Sequence, residues 1–330
     1  MTCFWDEKEK VFKHQYPIDT KPFCYWWHAH AVDVLIDAFL RTKKQDYLDI
    51  IDEELKTVYV LNGNTYLNNW YDDMEWMALA LLRLFDVTGK QEILDNVLLL
   101  WDDIKTAWNS LQGGGMAWKK DQIDYKNTPA NAPAAILAYR LYQRLRSDEF
   151  WEWGDRIYNW NLENLTDRNL WIVFDGINRL GDGRIDYSWD YTYCQGVVVG
   201  AALERYKISR AEIDLKVARE IANSAIHRYC DAHGGILQYE GKEDCGLFKG
   251  IMIRYFSSLV ELCPSEKYIR DIILLNAKVI CASGITDCGI IGPKLDALSD
   301  ETIDLAQHLS GIMILEMADR LSNTEGGMRL

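Results

Sequence analysis

What this chain lacks narrows it first. It carries no Cys-x-x-Cys: the eight cysteines are scattered, and the closest pair, Cys281 and Cys288, has six residues between. That spacing matches no zinc framework, and no metal or cofactor is expected. Cys230, Cys263 and Cys281 fall in apolar helical runs, where a thiol behaves as a small hydrophobe. A chain this long needs no disulfide framework to hold it. Basic residues are few: 36 Lys and Arg against 50 Asp and Glu leave a formal net charge of -14. That balance argues against nucleic acid, whose phosphates demand a basic face, and against an anionic membrane surface. No apolar stretch approaches the length of a membrane span. The N-terminus, Met1-Thr2-Cys3-Phe4-Trp5-Asp6-Glu7-Lys8, has no apolar h-region, so a cytoplasmic location is expected. No Pro/Gly/Ser-rich linker divides the chain, and residues 1–330 read as one domain.

What is present is helical. Val32, Leu35, Ile36, Ala38 and Phe39 recur at helical spacing, as do Ile136, Leu137, Tyr139, Leu141 and Tyr142. Helices are expected over 2–15, 27–42, 45–60, 73–88, 91–109, 130–146, 148–164, 191–207, 210–229, 247–263, 266–282 and 302–321. Strand alternation is scarce, with 235–239 the best candidate. Short turns alternate with long loops. A short turn forces an antiparallel helix pair, so the long loops gather at one end. Helices that follow long loops begin roughly every 45 to 60 residues, a degenerate repeat of stacked helix pairs. They are also the more apolar: Gly196 to Leu203 carries no charge, whereas the helix after a short turn reads Asp46-Tyr47-Leu48-Asp49-Ile50-Ile51-Asp52-Glu53-Glu54. An all-round apolar helix is buried and an amphipathic one faces water. The expected fold is all-α, an (α/α)6 barrel of six inner and six outer helices.

Two adjacent carboxylates, Asp72 and Asp73, stand where Asn68-Asn69-Trp70-Tyr71 runs into the apolar helix from Met74 to Phe85. Like charges are costly to hold together unless they share a proton or bind something between them. Two carboxyl groups in an aromatic setting are also the minimal apparatus for cleaving a glycosidic bond. The plainer reading is a helix cap, with Asp72 and Glu75 forming a capping box. The other long loops carry the aromatic and polar residues expected to line a sugar cleft. They supply Trp27 and His28, Trp118 after Gly113-Gly114-Gly115, Asn127, Tyr191, Tyr193 and Gln195, and Lys249. Flat rings stack on sugars while amides and charges orient hydroxyls. Competing motifs fail. No Gly-Lys-Ser/Thr follows Gly113 to Gly115, so this is no P-loop. Asp182, Gly183 and Asp186 miss the spacing of a calcium loop. Trp76 stands where a metal-diphosphate Asp-Asp-x-x-Asp motif needs an acid. His28 and His30 have no apparent third ligand, which points to packing or substrate contact. Lys249 suits substrate contact or a snorkelling role equally.

Six elements in order carry a resemblance: Trp26-Trp27, Asp72-Asp73-x-x-Trp76, Gly113-Gly114-Gly115 with Trp118, Tyr125-Lys126-Asn127, Tyr191-Thr192-Tyr193-x-Gln195-Gly196, and Phe248-Lys249-Gly250. From about Trp26 to Tyr255 the chain resembles glycoside hydrolase family 76, the α-1,6-mannanases. The resemblance implies the (α/α)6 barrel, retaining hydrolysis of α-1,6-mannosidic links in an oligosaccharide or polysaccharide, and catalysis by the adjacent pair. Its order makes Asp72 the nucleophile and Asp73 the general acid/base. Cys194 stands where the family has Asn. Family members are commonly secreted, and a short imported oligosaccharide suits a cytoplasmic enzyme better. Two other functions fit such a barrel: a non-catalytic carbohydrate-binding protein, and a sugar isomerase or epimerase with His28 or His30 as base.

Overall fold

Helix α1 (Tyr25–Thr42) opens a series of eleven α-helices among the described residues of this computed structural model, which are 3–298 and 302–323. Three short strands precede it: β1 (Trp5–Asp6) pairs with β2 (Val11–Phe12), and β3 (Gln15–Tyr16) pairs with a later strand. The helix expected over 2–15 is therefore corrected. Asp6 is the reason: its carboxylate accepts the backbone N–H groups of Lys8 and Glu9 at 3.0 and 3.1 Å. Such local side-chain bonds offer the backbone an alternative to the helical ladder.

The remaining helices are α2 (Asp46–Leu61), α3 (Tyr71–Thr88), α4 (Gln91–Ile104), α5 (Thr128–Leu145), α6 (Asp148–Asn164), α7 (Thr192–Ser209), α8 (Glu212–Tyr229), α9 (Cys245–Leu262), α10 (Lys267–Val279) and α11 (Leu305–Asn323). Their alternation follows the expected inner and outer sets, except that the sixth outer helix, expected over 2–15, is replaced by short strands among the described residues. In α7 every residue from Thr192 to Glu204 is buried, whereas α2 buries only Ile51, Glu54, Leu55 and Val58. Four hairpins turn on a left-handed residue after the first helix of the pair: Lys43, Gly89, Arg146 and Arg210. Each donates its backbone N–H to the carbonyl four residues back, which satisfies one orphan acceptor of the helix end.

Contacts within the chain define two units. Residues 1–65 and 226–330 form the first. Here α9 and α11 approach closely at Gly250, where an added Cβ would lie 2.6 Å from the Ser310 Cα. The Ser310 hydroxyl accepts the Gly250 N–H at 2.8 Å. β3 pairs antiparallel with β9 (Ile303–Asp304). No strand forms at 235–239, because its backbone is claimed elsewhere. The Leu237 N–H donates to Asn276 Oδ1 at 2.9 Å, and Asn276 Nδ2 donates to the Gly235 carbonyl at 2.9 Å.

Residues 66–225 form the second unit. Its long loops hold sheet structure that the sequence does not announce. β4 (Ala117–Lys119) and β5 (Gln122–Asn127) make a hairpin, and β6 (Thr166–Asp167) pairs with β7 (Ile172–Val173). β8 (Gly176–Ile177) joins β5, giving the order β4-β5-β8. The glycine run before β4 is a packing device: a Cβ on Gly115 would meet the Trp160 ring at 2.7 Å, and its φ is +84°.

Candidate active site

The start of α3 is stitched to the β4–β5 hairpin. Trp70, extended at the N-cap with no side-chain cap bond, bridges Lys119 in antiparallel fashion, and the Lys120 N–H donates to the Asn69 carbonyl at 3.0 Å. Helical geometry begins at Tyr71, so Asp72 and Asp73 both lie in the first turn rather than ahead of it. The capping reading of Asp72 does not apply, since the cap position is Trp70.

Both carboxylates are half-buried. Asp72 Oδ1 accepts the Asp73 N–H at 3.1 Å, and its Oδ2 accepts the indole N–H of Trp118 at 3.0 Å. Donors aimed at a carboxylate favour its charged form, as does the positive end of a helix. Asp73 Oδ2 faces the Asn68 amide at a longer 3.4 Å. Asp72 thus accepts two N–H donors, one from the neighbouring backbone and one from the Trp118 indole.

Behind Trp118 lies a buried polar floor. The Trp118 ring meets Tyr125 edge-on, with centroids 5.7 Å apart, and Lys119 Nζ sits 5.2 Å from its centroid. The Tyr125 hydroxyl donates to Asp175 Oδ2 at 2.5 Å, and the Tyr193 hydroxyl donates to Asp175 Oδ1. Cys194 Sγ lies 3.9 Å from the same Oδ1. Burial pushes the Asp175 carboxyl above the usual aspartate range, with the two phenol donors acting the other way. Asp175 is a residue that sequence reasoning missed. A single Asp before Gly176 in a long loop reads as turn punctuation, and nothing local marks it as the shared acceptor of two tyrosines.

The expected site residues of this unit therefore divide. Trp70 is 40% exposed, and Trp118 and Tyr191 are half-buried. Tyr193, Asn127 and Gln195 are buried. Gln195 spends its amide on backbone: Oε1 accepts the Val173 N–H at 2.9 Å, and Nε2 reaches the carbonyls of Val173, Asp190 and Tyr191 at 2.6, 3.1 and 3.2 Å. Asn127 ends β5, and its carbonyl accepts Asn131 Nδ2 at 2.7 Å. Lys126 beside it is fully buried; its Nζ donates to the Gly115 carbonyl at 2.8 Å, and burial lowers the ammonium pKa to about 8.

Trp27, His28 and Lys249 belong to the other unit, and all three are buried there. Trp26 and Trp27 both donate their indole N–H groups to Asp244 Oδ1, at 3.0 and 3.1 Å. His28 is enclosed, with Nδ1 2.5 Å from Glu54 Oε1 and Nε2 2.9 Å from His14 Nε2. Burial drives the His30 imidazole down to about 3, so it is neutral. Lys249 Nζ donates to the Pro293 carbonyl at 2.7 Å, and burial lowers its pKa to about 8.

Paired acids under an indole donor, at the head of a buried helix, define a glycosidase of the (α/α)6 class. The profile of Glycosyl hydrolase family 76 matches residues 1–296, and the protein belongs to that family. The chain is 23% identical over 334 residues to the mannan endo-1,6-alpha-mannosidase DCW1 of Candida albicans, covering 88% of this chain and 72% of that protein. Among solved structures it is similar to the Lin0763 protein of Listeria innocua, at 39% identity and a TM-score of 0.93 over 99% of this chain and 95% of that one. The GH76A alpha-1,6-mannanase of Salegentibacter sp. HEL1_6 is 34% identical, with a TM-score of 0.92 over 96% of this chain and 95% of that one. An inactive variant of that mannanase, with two neighbouring aspartates replaced by asparagine, is in complex with alpha-1,6-mannotriose; it is 34% identical with a TM-score of 0.91 over 96% and 94%.

Proposed function

We propose that this protein hydrolyses α-1,6-mannosidic links with retention, using Asp72 as nucleophile and Asp73 as general acid/base. The observation that carries the assignment is the pair of donors on Asp72, the Asp73 N–H and the Trp118 indole. A nucleophile must stay ionised, and two hydrogen bonds at the positive end of α3 favour that state. Asp73, which faces the Asn68 amide, is then the group that gives and retrieves a proton. In the first step Asp73 protonates the departing glycosidic oxygen as an Asp72 oxygen bonds to the anomeric carbon. In the second, Asp73 takes a proton from water, which displaces Asp72 and restores the starting configuration. Retaining enzymes hold the two carboxyl groups about 5–5.5 Å apart.

We assign sugar contact to Trp70, Trp118 and Tyr191, whose rings retain exposed surface. Tyr193, Asn127 and Gln195 shape the floor beneath them, and Trp27, His28 and Lys249 serve as buried supports of their own unit. The isomerase reading needs a His or Lys base, and both ring nitrogens of His28 already face Glu54 and His14. For location, the proposal remains cytoplasmic, with a short oligosaccharide as substrate; subcellular fractionation tests it. Among the described residues no helix is long and apolar enough to cross a membrane.

Trp118→Phe isolates the indole donor. A hydrogen bond to a charged group contributes about 1.5–3 kcal/mol, so kcat/KM is expected to fall roughly 10- to 100-fold. The melting temperature should change little, because Trp118 is half-buried and phenylalanine keeps most of its packing. A large melting loss with unaltered kcat/KM would make Trp118 a core residue. The function itself is tested with α-1,6-mannobiose, mannotriose and mannotetraose. Shortened products support hydrolysis; binding without turnover would support the carbohydrate-binding alternative, and an interconverted sugar the isomerase.

A further inference from the structure

Glu75 is a carboxyl group that the mechanism above does not use. It lies on α3 three residues after Asp72, hence on the same helical face one turn deeper. Its residue exposure is 0%, and among the described residues neither carboxyl oxygen meets a donor in full hydrogen-bond geometry. Two groups act on it in opposite directions: the like charge of Asp72, from its own helix, opposes ionisation, and the Ala134 backbone N–H of α5, which lies against α3, favours it to a lesser extent. An ionised carboxylate stripped of water, with one marginal N–H donor to offset the loss, is so costly that such a group takes up a proton instead. The nearby Asp72 charge pushes in the same direction.

We propose that Glu75 is carried as a neutral carboxylic acid one turn beneath the nucleophile, leaving Asp72 the single negative charge on that face of the first turns of α3. Burial raises the Glu75 pKa well above its ordinary 4.5, with Asp72 adding to the rise. A neutral Glu75 does not oppose the ionisation of Asp72, whereas an anion there would hold the nucleophile protonated to higher pH. The inference takes its functional meaning from the mannosidase reading, but Glu75's protonation state is measurable without turnover.

Infrared difference spectra between the wild type and Glu75→Gln test it. A protonated-carboxyl C=O band that Glu75→Gln removes is expected at neutral pH. In Asp72→Asn the same band should disappear at a lower pH, because a like charge one turn away is gone. Stability gives a second readout. Above pH 4.5 the unfolded chain releases the Glu75 proton while the folded chain keeps it, so the unfolded state binds fewer protons and wild-type stability falls as pH rises. The melting temperature of Glu75→Gln should therefore gain on the wild type from pH 4.5 upward, until folded Glu75 ionises. In kinetics, Glu75→Gln should keep kcat within about twofold and leave the acid limb of kcat/KM in place, since it exchanges one neutral group for another. Absence of the band at neutral pH, or an acid limb moved to lower pH in Glu75→Gln, would show Glu75 ionised and overturn the proposal. A band unaffected by Asp72→Asn would break the link to the nucleophile. Should the wild type cleave no mannoside, the mannosidase reading fails while the band and its response to Asp72→Asn still decide the state of Glu75.

Discussion

Asp72→Asn and Asp73→Asn are each expected to lower kcat on α-1,6-mannotetraose by at least 10^2- to 10^4-fold, the range of a positioned acid/base group. Neither should unfold the protein. Both side chains are half-buried, and the helix cap is formed by Trp70 rather than by Asp72. The two variants should differ in rescue. Azide replaces the base-assisted water in Asp73→Ala and yields a mannosyl azide of retained configuration. In Asp72→Ala, azide stands in for the nucleophile itself and gives the inverted product. If the retained azide comes from Asp72→Ala instead, the roles are exchanged. Equal, modest losses without rescue from either variant would leave the pair structural.

The largest stability effect near the site should come from Asp175→Ala. Two buried phenol hydroxyls, those of Tyr125 and Tyr193, would lose their shared acceptor. Each orphaned buried donor costs about 1–3 kcal/mol, so a loss of roughly 2–6 kcal/mol is expected in denaturant unfolding. Removing a carboxyl whose own burial is unfavourable offsets part of this, which places the result toward the lower end. Asp175→Asn keeps an acceptor oxygen and should lose less. Because Tyr125 supports the edge of Trp118, kcat/KM should fall in Asp175→Ala even at temperatures where the protein remains folded. A variant as stable as the wild type would mean that the tyrosines find other partners.

Legibility in the sequence followed the range of the forces involved. The inner helices are marked by continuous apolar surface, as in Gly196 to Leu203, and the hairpins by short turns; those signals are local. Asp72, Asp73 and Trp118 are likewise visible as a charged pair and an aromatic after glycines. What stays hidden is pairing at a distance. The β4-β5-β8 sheet joins residues near 117, 126 and 177, and no alternation announces β4 and β8, strands of three and two residues. Asp175 matters only through Tyr125 and Tyr193, 50 and 18 residues away. Glu75 looks like the far half of a capping box until its burial is seen. Gln195 and His28 have ligand-like chemistry in sequence, and their burial is not legible there. At the N-terminus the error has a different origin: Asp6 ties its own loop through two backbone N–H groups, a local bond that composition alone does not reveal.

Retaining hydrolysis of α-1,6-mannosides by the Asp72–Asp73 pair is tested most directly by following α-1,6-mannotetraose with the wild type by proton NMR from the first minutes. Shorter mannooligosaccharides are expected, whose newly formed reducing end appears first as the α anomer and only later mutarotates, with no product from Asp72→Asn over the same interval. A first-formed β anomer would contradict retention, and an intact tetrasaccharide after prolonged incubation with folded wild-type protein would contradict hydrolysis of this link.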